Sequence, residues 1–290
     1  MNTLSAGATP ESHQRYALLR ALVDACPLVL GTEIAVTGSV ALGLADVYSD
    51  AELNMWTAGD DVPELEARLA WLAASGASDF AVEPARAAGD PHAITFVFRD
   101  LVVEAGWWTV LAQDAALRSL LDEASTAHLV HAFVVECAVP LRTGGALARW
   151  KECIAEYPEA VQERVIVQNT RVWGLPQVAD VRRALARRGD VLALTERLTW
   201  DTYNLLNLVY ALNRRWPPDR KWLRARCDAL ETKPERLAER IESLFTLANL
   251  EERVAARERL ILDTLALLPA APHVERAQRR LDGQKQRPLA

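Results

Sequence analysis

Apolar residues recur at helical spacing through Tyr16, Leu18, Leu19, Leu22, Val23 and Cys26, the stripe expected of an amphipathic helix. Thr9-Pro10-Glu11 marks its start, with Thr as N-cap, proline in the first turn and an acid behind it. Pro27 and Gly31 end it. The period then falls to two. Thr32 to Thr37 reads as a short strand with Ile34 and Val36 on one face. In Ala51 to Trp56, Ala51, Leu53 and Met55 alternate with Glu52 and Asn54. A helix is expected over Asp61 to Ser75, capped by Asp60 or Asp61 with Pro63 near its start. Ile94 to Phe98 and Leu101 to Trp107 are strands joined tightly at Arg99-Asp100, which makes a hairpin. The adjacent Trp107 and Trp108 must then face opposite sides of the sheet, and packing is the first explanation for both.

After about residue 140 the pattern changes. Pro140, Gly144 and Gly145 punctuate a turn, and from Ala146 onward the chain carries helical periodicity. Breaks fall at Tyr157-Pro158, Gly174-Leu175-Pro176, Gly189, Pro217-Pro218 and Pro234, and Gln284 to Ala290 reads as a frayed tail. The expected architecture is α+β: a small mixed-sheet domain over residues 1–143, followed by an all-helical domain over 144–290.

Half of the 290 residues are hydrophobic and a quarter are charged, which suits a folded globular chain. The net charge of -6 disfavours an extended nucleic-acid partner. Cys26, Cys137, Cys153 and Cys227 are far apart and match no metal spacing, so reduced, mostly buried thiols are expected. His128 and His131 lack a matching second pair of ligands. No apolar run is long enough for a membrane span and no leader pattern is visible, so the cytoplasm is the expected compartment. Arg182, Arg183, Arg187 and Arg188 cluster near a helix end, where a solvated face is preferred over an anion site.

The chemistry concentrates between residues 38 and 53. A strand runs into Gly38-Ser39, where a sharp backbone turn and exposed N–H groups at the start of a short helix favour phosphate. Asp50 and Glu52 follow at a spacing of two, which puts both on one face of a strand. Two neighbouring carboxylates repel unless a cation lies between them, and an all-oxygen donor set suits Mg2+. Glu104 is a lone acid in the apolar strand Leu101 to Trp107 and is the candidate third carboxylate. Asp46 and Asp100 read as turn residues.

Gly-Ser, an intervening Ala-Leu-Gly-Leu-Ala-Asp stretch and then Ser-Asp-x-Glu resembles the signature of the DNA polymerase β-like nucleotidyltransferase superfamily, which includes the kanamycin, streptomycin and lincosamide nucleotidyltransferases. The resemblance covers roughly residues 30–110. It implies that Gly38 and Ser39 hold the triphosphate of ATP or another nucleoside triphosphate. Asp50 and Glu52 would bind Mg2+, and Glu104 would be a third metal ligand or the general base. Glu52 stands where the family often has Asp, and Ala51 where a larger aliphatic residue is common.

A weaker resemblance, to the helical C-terminal domain of some bacterial members, covers Tyr203 to Trp222. By charge type and placement, Asn213, Arg214 and Lys221 are expected to face the cleft between the domains and neutralise the triphosphate. Arg149-Trp150-Lys151, at the opening of the helical domain, is a second cationic candidate. The implied reaction moves a nucleoside monophosphate, foremost AMP, to a hydroxyl of a small-molecule acceptor such as an antibiotic, releasing pyrophosphate. The alternatives are transfer to protein or tRNA, and a non-catalytic nucleotide-binding antitoxin or regulatory module. Monomer and homodimer both remain open.

Overall fold

The computed structural model describes residues 4–83, 92–218 and 221–285, leaving aside the side chains of 176–180 and 284–285. It divides into two compact units, Met1–Glu156 and Tyr157–Ala290.

The first unit is α+β. Helix α1 (Pro10–Asp24) starts as its residues dictate, with the Thr9 hydroxyl oxygen accepting from the Ser12 N–H at 3.1 Å. Strand β1 (Glu33–Thr37), the one-turn helix α2 (Gly38–Ala41) and β2 (Ala51–Thr57) follow. Helix α3 (Leu65–Ala74) begins later than the aspartates suggest: Glu64 is its N-cap, and Pro63 lies outside it. Strands β3 (Ser78–Glu83), β4 (His92–Phe98) and β5 (Leu101–Thr109) come next. Arg99 and Asp100 both adopt positive φ in the β4–β5 turn, at 50° and 64°, as tight hairpin turns require.

Strand β5 runs directly into α4 (Val110–Glu123), whose N-cap Thr109 accepts from the Ala112 N–H. Helix α5 (Leu129–Cys137), β6 (Val139–Arg142) and α6 (Ala146–Cys153) complete the unit. Pro140 therefore sits within a strand rather than a turn. That strand is at the edge of the sheet, where a missing N–H is tolerated. The chain divides after α6, which belongs with the sheet rather than with the helices that follow it.

The sheet order is β3-β4-β5-β2-β1-β6. Every neighbouring pair is antiparallel except β2 and β5, which run parallel. One face carries Ile34, Val36, Leu53, Met55, Val103, Ala105 and Trp107, all at or below 1% exposed, packed with Leu19, Leu22 and Leu72. Trp107 donates its indole N–H to the Leu30 carbonyl at 3.0 Å and meets Trp71 edge-on. On the other face Trp108 stacks on Trp56, which also packs against Trp150. The two adjacent tryptophans thus serve opposite faces, as strand geometry requires. Arg142 pins β6 to the end of α1 by donating to the carbonyls of Val23, Cys26 and Gly31.

The second unit is helical: α7 (Glu159–Arg171), α8 (Pro176–Arg187), α9 (Val191–Leu212), α10 (Leu223–Asp228), α11 (Leu237–Thr246), α12 (Leu250–Leu265) and α13 (Pro272–Lys285). The expected breaks all fall between or at the ends of helices. Gln284 and Lys285 belong to α13 rather than to a frayed tail, while 286–290, and residues 219–220 of the proline turn, lie outside the described residues. Leu194, Leu198 and Leu205 of α9 pack with Leu260, Ile261 and Leu265 of α12 in the core.

A charged cluster is embedded in this core. The Asp201 carboxylate, 2% exposed, accepts from Arg182, Arg257 and the Trp173 indole. Arg183 forks onto Glu258. Arg182 and Arg183 are therefore ion-paired inside the unit, not part of the solvated face that their spacing suggests. Two of the four free cysteines, Cys26 and Cys227, are buried, and burial pushes both thiols up to about 11.

Burial raises the Asp201 pKa, but the Arg257 and Arg182 guanidiniums outweigh it and hold the carboxyl below its ordinary 3.8. Its contribution to stability is present above about pH 3.8 and is lost as the pH falls through the lower folded value. Asp201→Ala leaves buried guanidiniums behind and is expected to cost about 3–5 kcal/mol. Urea unfolding of the variant at neutral pH checks this, and a loss under about 1 kcal/mol contradicts it.

Candidate active site

The site grows from the register of three strands. Thr37 at the end of β1 pairs with Glu52, and Glu52 pairs across the parallel ladder with Glu104. Glu52 and Glu104 therefore lie side by side on the sheet face that carries the tryptophans. The two ends of that face differ. Trp56 and Trp108 pair at the C-terminal ends of β2 and β5, while the two glutamates pair nearer their N-terminal ends. Glu52 is half-buried and Glu104 is exposed. Asp50, also half-buried, immediately precedes β2. The register thus sets two acidic residues directly opposite each other.

Gly38 has φ +60, and a Cβ there would fall on the Glu52 carboxylate, with Oε1 at 2.7 Å. The absent side chain is what lets Glu52 lie against the backbone of the Gly38-Ser39 turn. The Thr37 hydroxyl donates to Glu52 Oε2 at 3.5 Å, and the Asn54 amide donates to the Thr37 hydroxyl oxygen. Thr37 and Asn54 are thus positioning residues for Glu52 that the motif did not include. The signal for Asn54 is its place two residues beyond Glu52 on the same strand face. Ser39 is 7% exposed, and its carbonyl accepts from the Leu44 N–H.

The loop from Gly43 to Asp50 is stitched to α1. Gly43 has φ +72, and a Cβ there would meet Ala8. The Thr9 hydroxyl donates to the Ala45 carbonyl at 2.6 Å, the Ala45 N–H donates to the Ser12 hydroxyl oxygen, and Arg15 Nε donates to the Ser49 carbonyl at 2.9 Å. Asp46 accepts from the Tyr48 N–H and the Ser49 hydroxyl, the turn role expected of it. Tyr48, at the tip of this turn, is 92% exposed.

Among the described residues, no group of three or more His, Cys, Asp or Glu side chains is gathered closely enough to hold a metal ion by itself. The strands bring Glu52 and Glu104 together with Asp50 close in sequence, and the donors are all carboxylate oxygens. Magnesium commonly takes only one or two carboxylates and completes its shell with water and substrate phosphate. Asp50 and Glu52, two residues apart at the start of β2, are carboxylates of the type such a shell takes.

The cationic candidates sort differently. Arg149 Nη2 donates to both Asp114 oxygens at 2.7 and 2.9 Å, Trp150 donates to the same carboxylate, and Lys151 donates to the Ala138 carbonyl at 2.7 Å. All three belong to α6 of the first unit, and burial lowers the Lys151 pKa. Arg149 and Trp150 also line a cavity of about 310 Å3 with Asp114, Arg118 and Asp122; Asp50, Glu52 and Glu104 are not among its lining residues.

Asn213, Arg214 and Lys221 lie in the second unit. The Asn213 amide donates to the Val209 and Thr232 carbonyls, and its oxygen accepts from the Glu231 and Thr232 N–H groups. It therefore closes the end of α9 against the 231–232 turn. Arg214 (φ 50) and Lys221 are exposed.

Residues 124–223 match a family described as "Domain of unknown function (DUF4037)". That match spans the division between the two units. No curated protein matches the chain. Among solved structures, a nucleotidyltransferase-like protein from Exiguobacterium sibiricum is similar over 96% of this chain and 79% of its own, at 15% identity and a TM-score of 0.37. Among the described residues, no helix is long and apolar enough to cross a membrane.

Gly38→Ala forces an L-residue into the left-handed region and drives its Cβ into the Glu52 carboxylate. It is expected to cost about 1–2 kcal/mol. Chemical denaturation checks this, and an unchanged midpoint contradicts the close approach of Glu52 to Gly38.

Proposed function

We propose that the chain is a magnesium-dependent nucleotidyltransferase that moves a nucleoside monophosphate, foremost AMP, from a nucleoside triphosphate to a hydroxyl of a small-molecule acceptor. One observation carries the reading: Glu52 and Glu104 are registered side by side on parallel strands, with Glu52 laid against the bare backbone of Gly38. This arrangement gathers carboxylate oxygens of the kind that suit a magnesium ion.

In this reading Asp50 and Glu52 hold Mg2+, and the Gly38-Ser39 turn receives the triphosphate. Thr37 and Asn54 keep Glu52 oriented. The ion, when bound, neutralises phosphate charge and supports the departing pyrophosphate. Glu104 takes the proton of the acceptor hydroxyl as its oxygen attacks the α-phosphorus and the bond to the pyrophosphate oxygen breaks. The Asn213 amide is engaged in closing the end of α9. An antibiotic-like acceptor is the first class to test, because a net charge of -6 suits a cationic molecule.

The test is pyrophosphate release from each nucleoside triphosphate with magnesium across a panel of aminoglycosides, lincosamides, tRNA and proteins. Acceptor-dependent release that disappears in Asp50→Asn supports the reading, whereas full activity in that variant removes Asp50 from the metal site. Release only with tRNA or protein changes the acceptor class. Glu104→Gln is expected to lower turnover at least 100-fold, on the order of a lost general base, with little change in nucleotide affinity by calorimetry. An unchanged rate removes Glu104 from the proton transfer.

A further inference from the structure

The loop that delivers Asp50 is held by one face of α1. Thr9, Ser12 and Arg15 lie three residues apart, a spacing that puts them on the same side of the helix. They grip the loop in chain order. The Thr9 N–H donates to the Gly43 carbonyl at 3.1 Å, and its hydroxyl donates to the Ala45 carbonyl. The Ser12 hydroxyl oxygen accepts from the Ala45 N–H at 3.1 Å. Arg15 Nε donates to the Ser49 carbonyl at 2.9 Å. The last of these bonds falls on the residue immediately before Asp50.

The strand ladders do not do this work for Asp50. Strand β2 begins at Ala51, and its pairing with β1 and β5 reaches no further back than that residue. The register therefore places Glu52 but stops short of Asp50. The Ser49 carbonyl, however, shares one planar peptide unit with the Asp50 N–H and Cα. Holding that oxygen fixes the plane, and with it the direction in which the chain enters Asp50. Arg15 is suited to the task. It is 8% exposed, and its Nη1 donates back to the Glu11 carbonyl of α1 at 3.3 Å, so one guanidinium bridges helix and loop. Its donors sit in a rigid plane and carry charge, which makes their bonds both directed and strong.

We infer that Arg15 is a positioning residue for Asp50, fixing through the Ser49 carbonyl where this carboxylate stands beside Glu52. The inference rests on the proposed metal role of Asp50.

The test measures Mn2+ affinity of the full chain by electron paramagnetic resonance, together with hydrogen exchange of the 46–50 loop. The variants are Arg15→Met, Arg15→Lys and Arg142→Met. Arg142 braces the opposite end of α1 by donating to the Val23, Cys26 and Gly31 carbonyls, and so controls for a general loss of stability. Arg15→Met is expected to weaken Mn2+ binding about 10-fold, the effect of one lost hydrogen bond from a charged donor, and to speed exchange in the loop. Arg15→Lys recovers part of both, and Arg142→Met leaves Mn2+ affinity unchanged. Should Arg15→Met fail to fold, Arg15→Lys carries the same comparison. Unchanged Mn2+ affinity in the Arg15 variants, or an equal loss in Arg142→Met, overturns the inference. A wild-type protein that binds no Mn2+ defeats the nucleotidyl-transfer reading instead. Loop exchange then decides alone, and an unchanged rate in Arg15→Met overturns the anchoring as well.

Discussion

The candidate site depends on one pairing, the parallel ladder between β2 and β5. Among the described residues it is the only parallel pair, the other neighbours being antiparallel. It sets Glu52 opposite Glu104 and, four residues on, Trp56 opposite Trp108. Because side chains alternate faces, a slip of one residue would carry an acid into the apolar face that holds Leu53, Met55 and Val103. Burial of that face therefore fixes the register, and the register fixes the acids. The core specifies the site without touching it.

The same sheet face does two jobs. At one end, Trp56, Trp108 and Trp150 fill space against α4 and α6, and Gln113 accepts from the Trp56 indole at 3.3 Å. At the other, the glutamates stand in place of packing, next to a glycine whose missing Cβ makes room for one of them. The tryptophan end is closed by ring packing, whereas the acidic end presents carboxylates. The helical unit handles charge in the opposite way: Asp201 is closed in by arginines and an indole until its acceptor positions are full.

Much of this was legible in the chain. The Thr9 cap, the Arg99-Asp100 hairpin and the alternation around Glu52 follow from local rules, and they locate the acids. What local rules missed has physical reasons. Strand β3 is exposed along its whole length and carries no buried-face alternation. Strand β6 contains a proline, which argues against a strand unless the edge position is already known. The start of α3 was misplaced because Glu64, an unremarkable cap residue, begins it in place of the aspartates. Arg182, Arg183 and Arg257 look like surface residues, since arginine is seldom buried; only the three-dimensional partners Asp201 and Glu258 show otherwise. Thr37 reaches Glu52 only across strands, which no spacing within one segment reveals, whereas Asn54 shares the strand face of Glu52.

The most direct test of the central claim is a crystal structure with a non-hydrolysable nucleoside triphosphate analogue and Mn2+, whose anomalous signal marks the metal. The account predicts manganese at Asp50 and Glu52, with the triphosphate against the Gly38-Ser39 turn and Glu104 beside it. Nucleotide and metal bound elsewhere, with Asp50 and Glu52 contacting neither, would contradict it.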